Sequence, residues 1–123
     1  QGLSYTTFGI GKAKTDKTEI KAGEKMSLVI PVKNTGKRDG TEIVQVYLRK
    51  LNDDGPVKTL RSFERVRLAS GQSREIVLEL SPSFFDWYDS STYRMSVLPG
   101  DYEILYGASS DEGKLQKLKV RLL

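Results

Sequence analysis

The chain has 123 residues, which is the size of one domain that can bury its own core. Hydrophobic residues make up 37% and charged residues 29%, so the chain is too apolar for a disordered segment and too polar for a membrane span. The sequence contains no His and no Cys, which excludes Ser-His-Asp and Cys-His catalytic groups, disulfides and zinc sites built from the usual ligands. We therefore expect no catalytic residue, no metal and no cofactor in this chain.

The net charge is +4, which raises the question of an anionic partner. The densest basic region is the C-terminal segment, where charged residues alternate with Leu118, Val120 and Leu122. This alternation is typical of the solvent-exposed face of a strand, and no nucleic-acid recognition motif accompanies it. We expect neither a nucleic acid nor a membrane as a partner.

Apolar residues recur with a period of two along most of the chain, which predicts β-strands rather than helices. In chain order, the predicted strands are 26–32, 41–49, 60–68, 74–80, 93–98, 101–108 and 118–122. Turn residues separate them at 34–40, 70–72, 99–100 and 111–113. Three further segments are predicted: a connector at 15–23 with room for a very short edge strand, an exposed loop at 50–59, and one helical turn at Pro82–Phe85 with Ser81 as its N-cap.

This pattern of about seven or eight short strands, with turns every 8 to 12 residues or so, is typical of a β-sandwich. The sequence has no internal repeat, no low-complexity tract and no interdomain linker. It therefore predicts an all-β antiparallel sandwich that occupies residues 1–123 as a single domain.

An aromatic concentration follows the predicted helical turn, and it allows three interpretations. It consists of Phe84, Phe85, Trp87, Tyr88 and Tyr93, with Asp86 among them. The interpretation we favour is that these rings close one end of the sandwich. Alternatively, they form an interface with a neighbouring domain, or Trp87 and Tyr88 form a platform for a sugar ring.

The acidic residues give weak catalytic and metal-binding signals. Asp86 and Asp89 supply two carboxylates, the number that a glycosidase uses, but nothing else in the sequence supplies the cleft that such a pair flanks. The pairs at 53–54 and 111–112 lack the alternating spacing of a calcium loop and are typical of turns. Tyr102, after Pro99 and Gly100, fits a tyrosine corner, in which a ring hydroxyl ties down the preceding loop.

Eight segments in series resemble one family, the C-terminal domain of family 3 glycoside hydrolases. The segments, each with the family pattern that it resembles, are 2–8 (G-L-S-Y-T-T-F), 32–40 (V-x-N-T-G-x-x-x-G, with Asn34, Gly36 and Gly40), 42–48 (E-V-V-Q-L-Y), 58–63 (K-x-L-x-x-F), 68–73 (L-x-x-G-E-S), 85–89 (L-x-x-Y-D), 99–104 (P-G-x-F/Y-E-V) and 107–110 (V-G-x-S-S). Each motif is weak alone, but together they run in order through nearly the whole chain.

The resemblance implies a fibronectin type III-like sandwich, in agreement with the strand pattern. It also implies that the catalytic groups of these β-glucosidases and β-xylosidases belong to other domains, so no catalytic role transfers to any position here. The segment 2–8 would be the point at which the chain leaves the preceding domain.

Two functional hypotheses follow. The first is a noncatalytic accessory domain that packs on the catalytic domains of the same polypeptide and stabilises them. In this hypothesis a structural role falls to Asn34, Gly36, Gly40, Pro99, Gly100 and Tyr102. The second is an independent carbohydrate-binding module that takes an oligosaccharide or polysaccharide at Trp87 and Tyr88. The resemblance further implies a periplasmic or secreted bacterial parent protein.

Overall fold

The computed structural model describes residues 6–51 and 58–123. Within these residues the chain forms eleven strands and two short 3-10 turns, with no α-helix. The strands are β1 (Phe8–Ile10), β2 (Lys14–Thr15), β3 (Glu19–Ile20), β4 (Met26–Asn34), β5 (Gly40–Lys50), β6 (Thr59–Leu68), β7 (Ser73–Leu80), β8 (Asp86–Asp89), β9 (Arg94–Val97), β10 (Gly100–Ala108) and β11 (Gln116–Leu122). The 3-10 turns are Pro82–Phe85 and Ser109–Lys114.

The strands form two main sheets and a separate hairpin. In the first sheet β4 is central, with β1 and β2 on one side and β7 on the other. The second sheet has the order β3-β11-β10-β5-β6 and is antiparallel except for the short β3–β11 pair. The strands β8 and β9 pair with each other as a separate two-stranded hairpin. The predicted all-β sandwich is confirmed.

The core lies between the two main sheets and follows the period-two pattern of the sequence. The even-numbered residues of β4, β5 and β7 that the sequence marks as apolar face inward, together with Tyr102, Ile104 and Tyr106 of β10. The charged residues of the C-terminal strand, Lys117, Lys119 and Arg121, are exposed, as the alternation predicts. Alternate residues of these strands therefore form the core, and the residues between them form the outer surfaces.

The strand count exceeds the predicted seven or eight because β1, β2, β3 and β8 are each only two to four residues long. Strands this short carry too little alternation to be recognised in a sequence. The exception is β3, which is the very short edge strand for which the predicted connector at 15–23 has room. The helical turn at Pro82–Phe85 is present, with Ser81 at its N-cap position and Pro82 at its first residue, as predicted. Ser81 makes no side-chain cap bond, because its hydroxyl pairs with that of Ser83 at 3.0 Å.

Candidate functional site

The aromatic cluster closes one end of the sandwich. Phe84 and Phe85 come from the 3-10 turn, and their rings meet edge to face at 5.1 Å between centroids. Phe85 and Trp87 each make an edge contact with Tyr102 of β10, with centroids 6.1 Å apart in both cases. The rings of Phe84, Phe85 and Trp87 are thus buried in one cluster with the core.

Arg61 fastens β6 to this cluster. It is the extra residue of a bulge, because Val46 pairs with Ser62 whereas the next residue of β5 pairs with Leu60. Its guanidinium lies 5.4 Å from the centre of the Trp87 ring and donates to the Phe84 carbonyl at 3.1 Å. Burial lowers the pKa of Arg61, and the charge of Asp86 offsets part of that effect. Sequence reasoning missed Arg61, although the three-residue spacing of Leu60 and Phe63 breaks the alternation and signals a bulge.

The sugar-platform interpretation of Trp87 needs correction. The side chain is only 7% exposed, because the core covers it and Arg61 lies over the ring. A stacking platform needs an open ring face, so Trp87 does not offer one in this chain. Tyr88, its neighbour, points the opposite way along the strand and is 53% exposed. Of the two predicted platform residues, Tyr88 alone presents its ring to solvent.

Asp86 and Asp89 stand at opposite ends of β8 and are not arranged as a catalytic pair. Three residues of strand separate their α-carbons by about 10 Å, and side chains three apart point to opposite faces. Asp89 instead folds the hairpin turn: its carboxylate accepts from the Ser91 amide at 2.9 Å and the Ser91 hydroxyl at 2.7 Å. These bonds, first of all the one from the hydroxyl, lower the pKa of Asp89.

The lowered pKa of Asp89 predicts a specific acid response. In the folded chain the Asp89 carboxylate stays charged at a pH where the same group in the unfolded chain, with a pKa of about 3.9, already takes up a proton. Its stabilisation is therefore present above about pH 4 and lost as the pH falls through the folded pKa. We expect the change in urea midpoint between pH 7 and pH 3 to shrink in Asp89→Asn, and in Ser91→Ala, which removes the hydroxyl donor. An undiminished change in both variants would contradict this role.

Asn34 is the centre of a polar network, which joins the segment at Thr6, the turn at 34–38 and the end of β6. It is fully buried at the end of β4. Its side-chain oxygen accepts from the Thr6 hydroxyl at 2.7 Å and the Gly36 amide at 2.9 Å. Its side-chain nitrogen donates to the carbonyls of Arg38 at 2.8 Å and Leu68 at 3.0 Å. Every hydrogen-bonding position of the amide group is thus used.

Gly36 and Gly40 make the space in which Thr6 lies. A β-carbon on Gly36 would come within 2.7 Å of the Thr7 backbone nitrogen, and one on Gly40 would overlap the Thr6 methyl group. Both are distances that real side chains do not adopt. The three predicted structural residues Asn34, Gly36 and Gly40 therefore meet at one place. Their common partner, Thr6, could not be identified from the sequence.

Glu42 is the centre of another polar network, at the start of β5. Its carboxylate is almost fully buried and accepts from the hydroxyls of Ser109 at 3.0 Å and Ser110 at 2.6 Å. The amide of Ile43 also donates to it at 3.0 Å. These contacts join two motifs of the resemblance, 42–48 and 107–110, and give Glu42 a structural role that sequence reasoning missed.

Tyr102 makes the tyrosine-corner contact that its position predicts. Its hydroxyl donates to the Leu98 carbonyl, four residues earlier, at 2.6 Å. Between them Pro99 turns the chain, and Gly100 opens β10 with φ at +141°, a conformation that side chains rarely adopt. This corner holds the loop against the aromatic end of the sandwich.

Among residues 6–51 and 58–123 no three acidic side chains come together as a metal site. Asp53 and Asp54 lie outside the described residues, as do the side chains of Asp111 and Glu112. No helix in the part of the chain that the structure covers has the length and hydropathy of a membrane span.

The model of the family named "Fibronectin type III-like domain" matches residues 42–110. A xylan 1,4-beta-xylosidase of Xylanibacter ruminicola is 43% identical over 98% of this chain, which spans 14% of that protein. A thermostable beta-glucosidase B of Acetivibrio thermocellus is 33% identical over 89% of the chain and 15% of its own length. A solved beta-glucosidase of Erythrobacter marinus superposes on the whole chain with a TM-score of 0.85 at 32% identity, and the chain covers 16% of it.

The match covers more than half of the chain, and the strand order and inward residues agree with it. The relatives are glycoside hydrolases of which the chain spans only a small share, as the resemblance to the family 3 enzymes implies. The chain belongs to the fibronectin type III-like domain family, in the form found in β-glucosidases and β-xylosidases.

Proposed function

We propose that this chain is a noncatalytic accessory domain of a family 3 glycoside hydrolase, a β-glucosidase or β-xylosidase acting on plant-type glycans. Its function is to pack against the catalytic domains of the same polypeptide and to stabilise them. The observation that carries the proposal is that 98% of this chain matches only 14% of a xylosidase. The proposal includes a periplasmic or secreted location for the parent enzyme.

The use of the polar groups supports the proposal. Asn34, Glu42 and Arg61 all make contacts inside the domain, and each joins segments distant in the sequence. Across the described ranges, no buried side-chain nitrogen or oxygen lacks a hydrogen-bond partner. Groups that are bonded within the scaffold are poor candidates for binding or transforming a substrate, because a ligand would have to replace those bonds.

Deleting the domain from the parent polypeptide tests this function. We expect the melting temperature or the soluble yield to fall, while the enzyme that remains folded keeps its turnover number on a small aryl glycoside. A parent enzyme with unchanged stability after deletion would refute the stabilising role. A turnover number reduced by orders of magnitude with stability intact would instead place the domain in the chemistry.

The exposed ring of Tyr88 favours a second candidate, in which the domain itself binds a glycan chain. Xylo- and cello-oligosaccharides titrated against the isolated domain in a calorimeter would then give a heat of binding, and Tyr88→Ala would abolish it. The absence of any such heat at millimolar ligand would leave the accessory function alone.

A further inference from the structure

The second sheet carries an apolar surface on the side that faces away from the core. In its register Leu60 of β6 lies opposite Tyr47 of β5, and Tyr47 lies opposite Leu105 of β10. Phe63 of β6 lies opposite Gln45 of β5, whose side-chain oxygen accepts from the Tyr47 hydroxyl at 3.1 Å, and Ile43 is the next outward residue of β5. We call these five residues the outer stripe: Ile43, Tyr47, Leu60, Phe63 and Leu105.

The outer stripe is unusual for a solvated sheet face. Phe63 is 64% exposed, and Leu60 is exposed beside it. Leu105 is only 5% exposed, so the exposed apolar area of the outer stripe comes chiefly from Phe63 and Leu60. Antiparallel sheets normally place polar residues on the outer face, and contiguous apolar patches rimmed by polar residues mark interaction sites.

Leu60 and Phe63 also belong to the segment 58–63, one of the eight through which the sequence resembles the family. Neither side chain contributes to the core of this domain. The internal fold therefore gives no reason for a leucine and a phenylalanine at these positions, whereas a partner on the outer face would.

Cationic side chains border the outer stripe. The Lys58 ammonium lies 5.0 Å from the centre of the Tyr47 ring, Arg65 is paired with Ile43 across the strands, and Lys117 is paired with Leu105. Glu103 is the outward residue of β10 next to Leu105, and its carboxylate accepts from Arg49 of β5. The rim is therefore positive, and a complementary partner surface is apolar at its centre and carries carboxylates around it.

We propose that the outer stripe is the surface by which this domain docks onto the catalytic part of its own polypeptide, against an apolar patch edged with Asp or Glu. The inference rests on the proposed function and deepens it by naming the surface and the chemistry of its partner. The relatives supply the polypeptide, since this chain spans 14% to 16% of their length. The cationic rim fixes the charge of the partner surface.

Two competing surfaces fit a docked domain less well. Val77, on the outer face of the first sheet, is 63% exposed but has Glu75 and Glu79 as the next outward residues of its strand. Tyr88 and Met95 lie opposite each other on the β8–β9 hairpin and form a two-residue patch. Neither combines several apolar residues with a rim of one charge.

Hydroxyl-radical footprinting of the isolated chain and of the full-length polypeptide tests the proposal directly. We expect oxidation of Phe63 and Leu60 to slow severalfold in the full-length protein, while Val77 and the strongly exposed Tyr93 react equally in both. Slower oxidation of Tyr88 and Met95, with Phe63 unaffected, would overturn the proposal by placing the partner at the hairpin. Concentration-dependent protection of Phe63 within the isolated chain would overturn it in favour of a second copy.

Paired substitutions give an independent readout. Phe63→Asp and Val77→Asp change side chains of nearly equal exposure, so each should leave the unfolding midpoint of the isolated chain almost unchanged. In the full-length polypeptide we expect only Phe63→Asp to lower the melting temperature, and Arg65→Glu to lower it more at low salt than at high salt. Equal effects of the two aspartates would contradict docking at the outer stripe.

The domain deletion separates the two levels of inference. If deletion destabilises the parent enzyme but Phe63→Asp does not, the accessory function stands and the outer stripe is the wrong surface. If deletion has no effect on stability, the proposed function itself fails.

Discussion

Replacing Phe85 with alanine is expected to lower the free energy of unfolding by about 3–5 kcal/mol, the usual cost of truncating a buried aromatic side chain. Phe85 is almost completely buried and makes edge contacts with both Phe84 and Tyr102. Its removal leaves a cavity at the point where the 3-10 turn, β8 and β10 meet. Urea denaturation of the isolated chain, followed by Trp87 fluorescence, measures the loss.

Tyr88→Ala is the matched control, because it removes a ring only three residues away, on the strand β8 that follows the 3-10 turn. Its side chain is half exposed and lies outside the core cluster, so we expect a loss of less than about 0.5 kcal/mol. A large effect at Tyr88 and a small one at Phe85 would mean that the hairpin, and not the buried cluster, holds this end of the domain together. The pair thus separates the packing function of the aromatic residues from their availability to a ligand.

Period-two alternation was sufficient to predict the strands that build the core. It works for β4, β5 and β7 because one face of each is buried and the register is therefore fixed. It fails for Leu60, which is in phase with the buried Val66 and Leu68 but which the β6 bulge turns to the outer face, opposite Tyr47. An apolar residue that faces a partner outside the chain cannot be distinguished in the sequence from one that faces the core.

The polar networks around Asn34 and Glu42 could not be predicted, because each depends on contacts between residues that are far apart in the sequence. Glu42 and Ser110 are separated by 68 positions, and Thr6 and Asn34 by 28. The resemblance identified these segments as characteristic of the family but contained no information about which ones meet. Arg61 is an intermediate case, since the broken alternation around it marks a bulge while its contact with Trp87 depends on the fold.

Asn34→Ala is expected to lower the free energy of unfolding by about 2–6 kcal/mol, because four groups lose their partner and each hydrogen bond contributes about 0.5–1.5 kcal/mol. The carbonyls of Arg38 and Leu68, the amide of Gly36 and the hydroxyl of Thr6 all bond to this one side chain. Lys33→Ala, at the exposed neighbouring position, should change stability little.

Asn34→Asp tests whether the donor half of the amide matters. A carboxylate still accepts from Thr6 and Gly36, but it has no hydrogen to donate to the two carbonyls and adds a buried charge. We expect it to be at least as destabilising as alanine near neutral pH. Because the Thr35 amide donates to the Thr7 carbonyl at 2.8 Å, its hydrogen exchange reports whether the Thr6–Thr7 segment stays in place. Faster exchange at Thr35 in both variants would show that Asn34 holds this segment against the hairpin at 34–40, whereas unchanged exchange would show that Gly36 and Gly40 hold it by shape alone.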